Sequence, residues 1–211
     1  MKRKILLIGL LLSAVAGFSS SITTATVSLV CFDGPFVNGI PTFAYTVGFS
    51  ASSSFLGMCD DYYHDGTPGD VWKVYLTQLS TGRLTYLRFG NQGLVPYEEA
   101  AWIFLQIGVT PSSQWPDMNF AVWHIFNPTV PIDANSQNWI DLAAVNYPYG
   151  VYSDVWVLTP IQIDAPPTGD QEFLIYSVAP LPPITPEPGS LLLLATSGLA
   201  AFSALRRKRE S

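Results

Sequence analysis

Seventeen consecutive residues, Gly189 to Leu205, carry no charge, and four basic residues, Arg206-Arg207-Lys208-Arg209, follow at once. No other stretch constrains the architecture as much. As an α-helix the run would span roughly 25 Å, near the short limit for crossing a bilayer. The basic cluster resists translocation and marks the cytoplasmic side. Its long side chains can snorkel and extend a short span. Upstream, residues 179–188 hold five prolines, among them Pro186 and Pro188, and read as an extended, exposed linker. The C-terminus is therefore expected to be a transmembrane helix over 189–205. An anchor that is retained and one that is cut at the exposed linker are both compatible with this pattern.

The other end is also directed to a membrane. Met1 to Lys4 are basic, Ile5 to Phe18 are apolar, and small or hydroxyl residues follow. This is the layout of a secretory signal peptide, read here as residues 1–25, with exit points after Ser21 or Ala25. Between the ends lies one exported domain, 26–178, long enough for a real core. Its charge balance is sharper than that of the whole chain, whose net charge is −6. Seven of the ten basic residues lie in the two ends, so the body keeps Lys73, Arg83 and Arg88 against fourteen acids, a net −11. Such a body repels nucleic acid and anionic headgroups.

Within the body, Thr26–Asp33, Thr42–Ser50, Val71–Leu79, Asp154–Ile163 and Gln171–Val178 read as strands bounded by Gly and Pro turns. Val71–Leu79 alternates, with Trp72, Val74, Leu76 and Gln78 on one face. The middle is helical. Pro96 with Glu98 and Glu99 opens one helix. A second starts near Pro116-Asp117, with Met118, Ala121, Val122 and Ile125 as its apolar stripe. A third runs from about Ser136 to Asn146. The fold class expected is α+β, with antiparallel strands flanking a central set of three short helices.

Two resemblances add to this. Pro186, Glu187, Pro188, Gly189 and Ser190, the Leu-rich span and Arg206, Arg207, Lys208 and Arg209 resemble the PEP-CTERM sorting signal over residues 186–209. The same tail is also labelled an ice-binding-protein C-terminal domain, which describes the tail and not an ice-binding surface. The resemblance implies recognition by a membrane transpeptidase, an exosortase. It implies an inner-membrane anchored precursor that goes on to the cell envelope or extracellular matrix of an exopolysaccharide-producing, biofilm-forming bacterium. The named tail residues would then be substrate for another enzyme. In the body, Met58-Cys59-Asp60, Tyr97–Leu105 and Asn119–Trp123 resemble the thioester domains of bacterial surface adhesins. That resemblance implies a crosslink between Cys59 and Asn119. Asn119 stands where that family has Gln, one methylene longer, which leaves the amide about 1.5 Å short.

Other chemistry is sparse. Cys31 and Cys59 are the only cysteines, and outside the cytoplasm a pair is a candidate disulfide. Cys59, Asp60, Asp61, His64, Asp65 and Asp70 form the densest polar cluster. It reads as a solvated acidic loop or, alternatively, as a calcium site. Cys31 or Cys59 with His64 or His124 are the candidate nucleophile and base. There is no nucleophile elbow, phosphate loop or dinucleotide fingerprint, and the adjacent Glu98 and Glu99 diverge on a helix. No catalytic residue, metal or cofactor is assigned. Trp115, Tyr147 and Tyr149 are the candidate surface aromatics for a polysaccharide. The leading expectation is a non-enzymatic exported surface or matrix protein, with a thioester adhesin and a polysaccharide-binding module as alternatives.

Overall fold

A computed structural model describes residues 23–50, 53–64, 66–162 and 170–178. Residues 1–22 of the stretch read as a signal peptide, the proline-rich stretch 179–188 and the span 189–205 lie outside the described residues. Among those described, no helix is long and apolar enough to cross a membrane.

The chain begins with β1 (Thr24–Phe32), a small hairpin of β2 (Phe36–Val37) and β3 (Ile40–Pro41), then β4 (Tyr45–Ser50), β5 (Ser53–Cys59) and β6 (Val71–Gln78). Three helices follow, α1 (Val95–Leu105), α2 (Trp115–Phe126) and α3 (Ala134–Asn146), before β7 (Val155–Pro160) and β8 (Phe173–Tyr176). The β2–β3 turn is Asn38-Gly39, with φ of 52° and 82°, the left-handed pair that a two-residue hairpin requires.

The expected order of strands, three short helices and strands is present. The strands do more than flank the helices. They close into an antiparallel barrel, β1-β4-β5-β8-β7-β6. β5 did not stand out in the sequence because its serines and glycine, Ser53-Ser54-Phe55-Leu56-Gly57, blur the alternation. It supplies the closure by pairing with β4 and β8.

Alternation along the strands sorts the side chains into two cores. Val27, Leu29, Tyr45, Val47, Trp72, Val74, Leu158, Phe173 and Ile175 fill the barrel. Met58, Val155, Val157 and Leu174 point the other way and meet the helices through Tyr97, Ala100, Phe104, Met118, Ala121 and Val122. Pro96 lies in the first turn of α1, where its missing N–H costs nothing. The side chain of Asp133 caps α3 by accepting from the Ser136 amide at 2.8 Å.

Register places the two rims of the barrel. One gathers the start of β1, the end of β6, the start of β7 and the end of β8, as the pairs Thr24–Tyr75, Gln78–Trp156 and Val155–Tyr176 show. The folded body therefore receives and releases the chain at the same rim. The opposite rim gathers the ends of β1, β5 and β7 with the starts of β4 and β8. β1 already pairs at Thr24 and Ala25, inside the stretch read as signal peptide. Exit after Ser21 leaves this strand whole, whereas exit after Ala25 removes two of its residues.

Candidate functional site

The second rim carries a buried charged cluster. β5 ends at Cys59, and Asp60, Asp61 and His64 follow inside the protein at 1%, 2% and 6% exposure. Glu172, fully buried, enters from the residue before β8. Arg88 comes from the loop that leads to α1, and Tyr97 and Asn119 come from α1 and α2.

The contacts form two linked sets. Arg88 ion-pairs with Asp61, and its guanidinium donates to the Asp170 carbonyl at 2.8 Å. His64 Nδ1 lies 2.8 Å from Asp61 and 3.0 Å from the same guanidinium. The Gln171 side chain donates to the His64 carbonyl. Glu172 accepts from the Arg88 amide at 2.9 Å, from the Tyr97 hydroxyl at 2.7 Å and from the Thr159 hydroxyl. Tyr97 in turn accepts from the Phe89 amide at 2.9 Å. A buried charge is tolerated when it is paired or well hydrogen-bonded: Arg88 and Asp61 pair with each other, and Glu172 is held by three hydrogen bonds.

Asp60 is different. Neither of its carboxyl oxygens meets a donor among the described residues, and the group it faces is the Glu172 carboxyl. Burial, and then the Glu172 charge, pushes its carboxyl well above the usual range, with Arg88 opposing. A carboxyl so placed favours the neutral acid. Burial likewise pushes the Tyr97 phenol up, with Glu172 and Asp60 in the same direction. The Cys59 thiol is fully buried and pushed well up, first by burial and then by Asp60. Such a thiol is a poor nucleophile.

Asn119 lies at the inner edge of this cluster with no exposure. Its amide donates to the Cys59 carbonyl at 2.9 Å and accepts from the Phe43 amide at 2.7 Å. It thereby ties α2 to the end of β5 and to the approach to β4. The structure thus brings together Cys59 and Asn119, sixty residues apart. The contact runs through the Cys59 backbone, and the thiol itself donates to the Asp61 carbonyl at 3.2 Å.

Several expectations are corrected. Cys31 and Cys59 are free thiols, not a disulfide. Cys31 is half-buried on β1 and donates to Asp33 at 3.1 Å, while Cys59 is enclosed by the barrel core. The acidic stretch is solvated at its far end, Thr67–Asp70, and not at Asp60, Asp61 and His64. Asp60, Asp61 and His64 are buried because Arg88 and Glu172, distant in sequence, supply their charged surroundings. Asp70 instead closes a local turn onto the Thr67 amide at 2.7 Å. Asp65 lies outside the described residues, and among those described no group of three or more His, Cys, Asp or Glu is arranged to hold a metal. Trp115 is not a free surface ring. It packs edge-on against Phe43 at 5.1 Å, and its indole N–H donates to the Thr110 carbonyl at 3.3 Å. Tyr149 is 84% exposed, as expected for the turn after α3. His124 is half-buried against the Val130 carbonyl at 2.7 Å, away from either cysteine's contacts.

Sequence reading missed Arg88, Tyr97, Thr159 and Glu172. The one local signal was Gln171-Glu172 set directly against the apolar run Phe173-Leu174-Ile175. An acid at such a border reads as the outer edge of a strand, and here it points inward.

A match is found in the tail. Residues 185–209 match the PEP-CTERM protein-sorting motif. The match covers Pro186, Glu187, Pro188, Gly189 and the basic cluster Arg206, Arg207, Lys208 and Arg209, all outside the described residues. PEP-CTERM signals are recognised by exosortase, a membrane protein, and the motif implies export through a membrane-anchored precursor. No curated protein and no solved structure significantly matches the chain.

Proposed function

We propose that this chain is a non-enzymatic protein of the cell envelope or extracellular matrix, delivered there as an exosortase substrate. The observation that carries the reading is the PEP-CTERM motif at 185–209, joined by a proline-rich linker to a folded acidic body. Two features of the body support a structural role. Its densest chemical cluster is enclosed, with Arg88 and Asp61 paired and Glu172 bound by the Arg88 amide, Tyr97 and Thr159. Its only core thiol is held in the protonated form by burial. A catalytic centre needs a group that can reach substrate.

Fractionation of the producing cells tests this. Wild-type cells should hold the protein in envelope or matrix fractions, and cells lacking exosortase should accumulate a longer, membrane-bound form. The same full-length form, soluble in the cytoplasm of both strains, would remove the proposal.

A covalent adhesin is the second reading. What favours it is that Cys59 and Asn119 lie side by side, although the Asn119 amide meets the Cys59 carbonyl and not its thiol. Attack of the thiol on the amide carbon would release one ammonia, so an intact mass lower by one ammonia would support a thioester. An undiminished mass excludes it.

A further inference from the structure

At the rim where the chain enters and leaves the barrel there is an open groove of about 190 Å³. Tyr75 and Trp156, from β6 and β7, line it together with Tyr86 and Arg83 from the segment after β6. Tyr75 and Tyr86 lean on one another with ring centroids 4.7 Å apart and 34° between planes. Both rings and the Trp156 indole are half-buried, so each has one part packed and another at the surface. Thr77 and Gln78 add a hydroxyl and an amide to the lining. The Gln78 amide nitrogen is fixed on the Ser153 carbonyl, which leaves its oxygen as the acceptor.

The charge of the groove is opposite to that of the body. None of its lining residues is acidic, although the body carries fourteen acids. Arg83 is one of only three basic residues in the body. Arg88 is buried on Asp61, whereas Arg83 is exposed and makes no ion pair or hydrogen bond among the described residues. An aromatic pair offers a flat apolar face, the polar side chains select hydroxyls, and a guanidinium grips a carboxylate with two parallel bonds.

We propose that this groove binds a saccharide ring bearing one carboxylate, a uronate within a sparsely charged glycan. The sugar face stacks on the tyrosine pair and the carboxylate meets Arg83. A densely charged polyanion is disfavoured, because the acidic body repels it beyond the groove. The inference does not depend on how the protein is exported. Failure of binding would leave the sorting reading intact, since that is judged by fractionation.

The test uses the full-length protein in a sugar-free zwitterionic detergent. The probes are a tetrasaccharide of alternating glucose and glucuronate, the neutral glucose tetrasaccharide, and acetate as a bare carboxylate. Titration followed by NMR of the tryptophan indole N–H signals reads the site. The acidic tetrasaccharide should shift Trp156, and Arg83→Ala should weaken that binding about tenfold or more, the range expected for a hydrogen bond to a charged group. Tyr149→Ala, a change at an exposed ring outside the groove, should leave it unaltered. Equal binding of the neutral tetrasaccharide would overturn the carboxylate assignment. An equal Trp156 shift with acetate would overturn the saccharide assignment. No shift with any probe, or full binding retained by Arg83→Ala, would overturn the site itself.

Discussion

Asn119 and Asp60 show how single residues set the energetics of the cluster. Asn119 is the sole side-chain partner described for two backbone groups that lie in the protein interior, the Phe43 amide and the Cys59 carbonyl. Alanine there leaves both without a partner, and each orphaned buried group costs about 1–3 kcal/mol. Urea unfolding of Asn119→Ala should show a loss within that combined range, and a loss below about 1 kcal/mol would mean that water replaces the amide. Asp60 acts through its proton. Its folded value is raised by burial and by Glu172, so the fold binds that proton more tightly than the unfolded chain does. Stability present in acid is therefore lost as pH climbs from the ordinary carboxylate range through the raised value. Asp60→Asn keeps the shape and removes the titration. Its melting temperature relative to wild type should rise as pH climbs above the ordinary carboxylate value of about 4. A constant difference would show that Asp60 does not titrate there, whatever Glu172, Arg88, Cys59 and Tyr97 do around it.

At the scale of the elements, local chemistry and long-range pairing divide the work. Helix α3 is a local affair. Asp133 caps it from outside, and the Ser136 amide holds the Asp133 carboxyl below the usual range. Asp133→Ala should cost about 1 kcal/mol, read by chemical denaturation, and no change would mean that water caps the helix equally well. The same locality made the helices legible in the sequence. Pro96 and Pro116 marked the starts of the first two helices to within a residue, and the third starts two residues earlier than expected because Asp133, not Ser136, is its boundary. Strand β6 was legible for a like reason, its alternation of Trp72, Val74 and Leu76 being a local pattern. Barrel closure was not legible. It depends on β5, whose polar half reads as loop, and on pairing Gly57, Met58 and Cys59 with residues 173–175, more than one hundred positions away. The charged cluster was hidden by the same distance. Asp60 and Asp61 look solvated until Arg88 and Glu172 are folded against them.

For the whole molecule, the sorting tail and the body answer different questions. The tail's order of proline motif, apolar run and basic cluster is a linear signal, so it was readable without any fold. The body's groove is a product of the fold, assembled from β6, β7 and the segment between β6 and α1, and composition pointed elsewhere, to Trp115. Both described ends of the body, Thr23 and Val178, lie at the groove's rim, so whatever holds the tail holds the protein close to its proposed glycan site. Intact mass of the protein recovered from its native envelope tests the central claim most directly. A polypeptide that begins near Ile22 and lacks the apolar span and the basic cluster is expected. A mass equal to all 211 residues, with both ends uncut, would contradict it.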